Sequence, residues 1–267
     1  MQQIAGIEYE ITEEAKSPEK NNGKIPTVIC LHGIGANSSL FRAQLDGLQG
    51  IRVIAINLPG YGQSPLIDAL SFPKLADKII SFMDALALPS AHLCGQSFGG
   101  MVAIETACLY PERIDSLALI ATTSAFGGND SDKNTFISDR LKPFDEGETT
   151  ASLAPKFMSA ILGPDISDKA RKAATEAMAQ VPNDTYRAIV RCVVTFNRGN
   201  DVANLTMPVC LIAGDKDIVL PAENLIEISR RLPHAEFHLI ERAGHLVNLE
   251  KPAESNAILN EFYTRFR

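Results

Sequence analysis

No apolar run in this 267-residue chain is long enough to cross a bilayer, which takes roughly 20 residues in a helix. A membrane partner is therefore not expected. Nor does the stretch Met1 to Gly6 show the basic-then-apolar pattern of a secretory signal. Clusters of Lys and Arg are absent and the formal net charge is −7, which argues against nucleic acid or another polyanion as partner. The five cysteines, at positions 30, 94, 108, 192 and 210, are odd in number and lack metal-ligand spacing; the five histidines are scattered singly. Neither a disulfide frame nor a zinc site is expected, and the thiols fit a protein of the reducing cytoplasm that works without metal or cofactor. With 45% hydrophobic and 21% charged residues, a largely disordered chain is also excluded.

What is present is an alternation. Short β-rich apolar runs at 27–31, 52–56, 91–94 and 114–121 are separated by helical patterns at 38–48, 73–88 and 98–110. Strand and helix in turn imply crossover connections and a parallel sheet covered on both faces, an α/β fold. The more polar start is expected to form an antiparallel edge hairpin that ends in a loop at 17–23. From Gly127 the alternation stops, and helical patterns at 150–162, 166–181 and 184–197 follow without a convincing strand. Strands and helices resume at 209–213, 221–232, 236–240 and 252–266. We therefore expect one core domain in two parts, 1–126 and 205–267, interrupted by a helical cap at 127–204 over the C-terminal edge of the sheet.

The pentapeptide Gly95-Gln96-Ser97-Phe98-Gly99 lies between an expected strand and an expected helix. G-x-S-x-G in that setting is a nucleophile elbow, a turn sharp enough to lift the serine oxygen clear of the sheet. A serine hydroxyl needs a base, and the base needs an acid to hold its tautomer. Only residues beyond the C-terminal ends of parallel strands can converge on Ser97. His245, in Ala243-Gly244-His245 after the run 236–240, meets that condition; His92, His234 and His238 do not. Asp215 and Asp217 both follow the run 209–213, and Asp217 is preferred because Gly214 and Asp215 are needed to turn the chain. Asp215 is the rival, its other reading being a turn former that bonds backbone amides. For the oxyanion we expect the amides of Phe98, next after the nucleophile, and Ile34, in the loop His32-Gly33-Ile34-Gly35. His32, beside Gly33, is expected to brace that loop.

These motifs, together with Asn57-Leu58-Pro59-Gly60-Tyr61-Gly62-Gln63-Ser64, resemble the α/β-hydrolase fold over nearly all the chain except the cap. The order serine, acid, histidine is that of the fold. Within it, the segments 95–101 and 244–252 are similar to 3-oxoadipate enol-lactonases and small bacterial carboxylesterases. The resemblance implies a serine hydrolase acting on a small-molecule ester or lactone through an acyl-enzyme. Two alternatives stay open: a carbon–carbon bond hydrolase of a vinylogous diketone using the same triad, and a ligand-binding receptor on a hydrolase scaffold. Leu246, where the carbon–carbon hydrolases commonly carry tryptophan, weighs against the first. Asn57 stands where the family usually has aspartate.

In the expected cap, Arg187, Arg191 and Arg198 lie roughly opposite the apolar stripe Tyr186, Ile189, Val190, Val193 and Val194. One of them could meet a substrate carboxylate, although a solvated helix face is the preferred reading. Phe126, Phe136, Phe157, Met158 and Phe196 are candidates to line an apolar pocket.

Overall fold

Along each central strand, alternate side chains enter different cores, because successive residues of a strand point to opposite faces. Val28 and Cys30 of β3 (Thr27–Leu31) join one apolar cluster, while Ile29 and Leu31 join the other. The same division runs through β4 (Arg52–Ile56), β5 (Ala91–Gln96), β6 (Ile114–Ile120) and β7 (Val209–Gly214). The computed structural model describes residues 1–12 and 26–266, so the loop expected at 17–23 lies outside the described residues.

With β1 (Gln2–Ile4), β2 (Ile7–Ile11) and β8 (Glu236–Ile240) these strands form an eight-stranded sheet of order β1-β2-β4-β3-β5-β6-β7-β8. β1 and β2 make the antiparallel edge hairpin, β2 pairs antiparallel with β4, and the strands from β4 to β8 are parallel. One face carries α2 (Phe72–Ala85), α3 (Phe98–Leu109) and α8 (Glu223–Arg231). The other carries α1 (Arg42–Gly47), α9 (Val247–Glu250) and α10 (Pro252–Thr264). From β3 the chain steps outward to β4 and then crosses back to β5. The direction of winding therefore reverses between β3 and β5, which opens a crevice at their C-terminal ends.

Between β6 and β7 stand α4 (Asp130–Asp145), α5 (Thr150–Ile161), α6 (Asp168–Ala179) and α7 (Asn183–Val193). Three of these fall where sequence periodicity places them; α4 is additional. Its apolar side is thin, with Leu141 and Phe144 its buried residues, so no 3.6-residue period announces it. The local signal is a capping box. The Asn129 side chain accepts from the Asp132 amide, and the Asp132 carboxylate accepts from the Asn129 amide. In α7 the stripe Tyr186, Ile189, Val190 and Val193 is buried as expected.

All five cysteines are free, and Cys30, Cys94, Cys192 and Cys210 are buried. Burial pushes the Cys108 thiol up to about 11 and that of Cys192 to about 12, which makes both poor nucleophiles. Among the described residues no helix is long and apolar enough to cross a membrane, and no group of His, Cys, Asp and Glu is arranged to hold a metal ion.

Candidate active site

The turn out of β5 puts Ser97 at φ 54°, ψ −120°, a conformation that costs an L-residue roughly 1–3 kcal/mol. Neighbouring bonds hold it there. The Ser97 amide donates to the Ile120 carbonyl at 2.9 Å, and the Ser97 carbonyl accepts from Thr122 Oγ1 at 2.7 Å. The turn also needs glycine on either side. A Cβ at Gly95 would come within 2.5 Å of Gly100 Cα, and one at Gly99 would collide with the Leu31 carbonyl. Ser97 emerges at the winding reversal, directly against the loop after β3: a Cβ at Gly33 would lie 3.2 Å from Ser97 Cβ.

His245 arrives from the loop after β8, the edge strand three places from β5. After β8 the chain turns through Arg242 at φ 57°, and the backbone of His245 is then tied at both ends. Its amide donates to the Ile161 carbonyl of α5 at 2.9 Å, and its carbonyl accepts from Gln96 Nε2 at 3.0 Å. Glu250, 7% exposed, reinforces this loop by accepting from the amides of Gly244, Leu246 and Gly163 at 2.8, 3.0 and 2.7 Å. One carboxylate thus joins the histidine loop to the end of α5.

The imidazole closes the constellation. His245 Nε2 lies 2.9 Å from Ser97 Oγ, and His245 Nδ1 lies 2.7 Å from Asp217 Oδ2. Asp217 Oδ1 accepts from the amides of Val219 and Leu220 at 2.8 and 3.0 Å, so both carboxylate oxygens are occupied. A carboxylate can only accept, so the Nδ1 hydrogen points to Asp217 and Nε2 is left to accept from the Ser97 hydroxyl. Ser97, Asp217 and His245 are 8%, 5% and 5% exposed, which shields the contact from bulk water. Asp215 instead pairs with Lys216 at 2.9 Å, which holds its carboxyl below the usual range; no hydrogen bond joins it to His245.

Ile34 lines the same cavity as Ser97, and its carbonyl accepts from Tyr61 Oη at 2.7 Å. The Tyr61 ring meets that of His32 edge-on at 4.4 Å. His32 Nε2 accepts from the Leu58 amide at 3.1 Å, which requires the proton on Nδ1, where it is donated to the Gly33 carbonyl at 2.8 Å. His32 is therefore neutral, and burial pulls its pKa down to about 4 against a weaker opposing pull from Gly33. In the unfolded chain its value is about 6.5, so between these limits the unfolded state holds more protons. This contribution is present in full above pH 6.5 and is lost as pH falls towards 4, by about 3 kcal/mol in all. Urea unfolding of the wild type and His32→Gln at pH 7 and 4.5 tests it: the variant should lose less stability on acidification, and an unchanged loss would rule the residue out as the source.

Asn57 has a local explanation. Its Oδ1 accepts from the Ser38 amide at 2.8 Å and its Nδ2 donates to Glu8 Oε2 at 2.6 Å. An aspartate here would set two carboxylates against each other. None of the Asn57 side-chain hydrogen bonds reaches Ser97, Asp217 or His245.

A cavity of about 160 Å³ lies above Ser97, walled by the loop after β3 and by helices α4 to α7. Phe126, Phe136, Phe157 and Met158 line it as expected, whereas Phe196 is buried against Phe72, ring centroids 4.6 Å apart. The three arginines singled out in the sequence are engaged elsewhere. Arg187 pairs with Asp145 at 2.7 Å, Arg191 donates to the Arg187 carbonyl, and Arg198 forks onto buried Glu105 at 2.7 and 2.9 Å and onto Asp201 at 2.8 Å. The cavity's arginine is Arg140 of α4, which periodicity could not place because the helix itself is missed.

The family described as alpha/beta hydrolase fold matches residues 26–252. The chain belongs to that family. This α/β hydrolase is 28% identical over 251 residues to the dihydrolipoyllysine-residue acetyltransferase component of the acetoin cleaving system of Cupriavidus necator, covering 91% of this chain and 64% of that protein. It thus spans less than two thirds of that relative's length. It is 23% identical over 238 residues to 3-oxoadipate enol-lactonase 1 of Acinetobacter baylyi, covering 89% of this chain and 88% of the lactonase. The enol-lactonase of Burkholderia xenovorans shares the fold with a TM-score of 0.85 at 18% identity, over 97% of this chain and 96% of that one.

Proposed function

We propose that this α/β hydrolase cleaves a small carboxylic ester or lactone, with Ser97 as nucleophile, His245 as base and Asp217 as the acid that orients it. The 2.9 Å approach of His245 Nε2 to Ser97 Oγ carries the reading, because it supplies the base without which a serine hydroxyl is inert at neutral pH. Ser97 Oγ attacks the carbonyl carbon as its proton passes to Nε2. The carbonyl oxygen becomes an anion that accepts from the amides of Ile34 and Phe98. Phe98 is the first residue of α3, so its amide has no intrahelical partner and is free to donate. Collapse returns the proton to the departing alkoxide oxygen and leaves an acyl-serine. Water, deprotonated by His245, then attacks that ester and releases the acid.

The cavity supports a small substrate. Its volume of about 160 Å³ lies below the roughly 300–1,000 Å³ of pockets that take drug-sized ligands. The chain's likeness to the enol-lactonases of Acinetobacter baylyi and Burkholderia xenovorans supports an ester or lactone as the bond cleaved.

A fluorophosphonate probe is expected to label Ser97, and a panel of aryl esters, enol-lactones and vinylogous diketones should show turnover of the first two. Folded protein that resists labelling would point to a binding role instead. Fast cleavage of the diketone alone would reassign the bond to carbon–carbon.

A further inference from the structure

Among the described residues that line the cavity, Arg140 is the only Lys, Arg, Asp or Glu. Its guanidinium stands over the rings of Phe136 and Phe157, 5.3 and 5.4 Å from their centroids, both of them also cavity walls. Beside it is Tyr186, whose hydroxyl is pushed up by burial and drawn back by the charge and hydrogen bonding of Arg140. Among the described residues no carboxylate pairs with this arginine, although Arg187 of the same insertion has one and Arg198 has two. A half-buried guanidinium set over two phenyl rings at the cavity wall, with no carboxylate partner, is free to receive an anion there.

We propose that Arg140 is a specificity-determining residue that receives a free carboxylate of the substrate, so that the preferred substrate is a small ester or lactone carrying a carboxylate away from the scissile carbonyl. This rests on the hydrolase reading above and deepens it. The fork of guanidinium donors matches a planar carboxylate with two parallel bonds. Stacking on Phe136 and Phe157 holds the fork in place, so less side-chain freedom is lost on binding. Charge balance selects a carboxylate over a phosphate monoester. One arginine cancels one negative charge, and the second charge of a phosphate would be buried unpaired among phenyl rings.

The test compares the methyl hemiester of a short dicarboxylic acid, such as glutaric or adipic, with the ester whose free acid is replaced by the uncharged carboxamide. A charge-assisted hydrogen bond contributes about 1.5–3 kcal/mol, which corresponds to a preference of roughly ten- to a hundredfold in kcat/KM for the hemiester. The effect should lie mainly in KM, since the contact is the same in ground and transition states. In Arg140→Met the ratio should fall to about one, and in Arg140→Lys, which keeps the charge but loses the fork, to an intermediate value. Should the methionine variant fail to fold, inhibition of the wild type by glutarate and by its diamide reads the same contact, and the diacid should be the stronger. Turnover of both esters without preference, or a preference surviving in Arg140→Met, would overturn the assignment and leave the hydrolase reading standing. No turnover of either ester together with no fluorophosphonate labelling would remove both.

Discussion

Ser97→Ala is expected to lower kcat by about 10⁶ on the best ester or lactone, the scale of loss found when the nucleophile of a serine protease is removed. The variant should fold normally. Alanine keeps the Cβ that already fits beside Gly33, adds no bulk at φ 54°, and leaves in place the backbone bonds to Ile120 and Thr122. Only the hydroxyl within 2.9 Å of His245 Nε2 is lost. The measurement is single-turnover and steady-state kinetics on protein whose unfolding midpoint matches the wild type. Activity within tenfold of wild type would remove Ser97 from the mechanism.

The second large effect distinguishes two aspartates only two residues apart. Asp217→Asn should cost roughly 10⁴ in kcat, as the equivalent change does in a protease. An asparagine can present one oxygen, where Asp217 uses one for the amides of Val219 and Leu220 and the other for His245 Nδ1. If its oxygen stays with the two amides, its NH₂ group faces the imidazole and forces the proton onto Nε2. That ring can no longer accept from Ser97. Asp215→Asn breaks a partly exposed pair with Lys216, a kind of contact that contributes about 0–1 kcal/mol, and activity should stay within a few-fold. A reversed ranking of the two variants would transfer the acid role to Asp215.

Much of this arrangement is legible in the order of residues because it rests on local chemistry. The bounds of β3 and β4 coincide with their apolar runs, since a strand buried on both faces is mostly apolar. The elbow is legible because two close backbone approaches admit only glycine around a serine held at positive φ. Asp217 over Asp215 follows from how many residues a chain needs to turn out of a strand, and the geometry puts Asp217 beside the imidazole. Helix α4 is not legible: a helix anchored by two buried side chains lacks the periodic stripe, and its capping box is a signal of one turn only.

By itself, then, the chain's pattern determined a parallel sheet, its elbow, and the three residues able to meet above it, because burial period and turn geometry act between neighbours in sequence. Tertiary structure alone decided how the histidine loop is tied to α5 through Glu250, and which arginine faces the cavity. Arg140, Arg187, Arg191 and Arg198 are alike as residues, and what separates them is whether folding brings a carboxylate or a carbonyl from a distant part of the chain to each. For Arg187 and Arg198 it does, whereas Arg191 bonds the Arg187 carbonyl one turn back in its own helix; Arg140 it sets against Phe157 of α5 at the apolar cavity above Ser97.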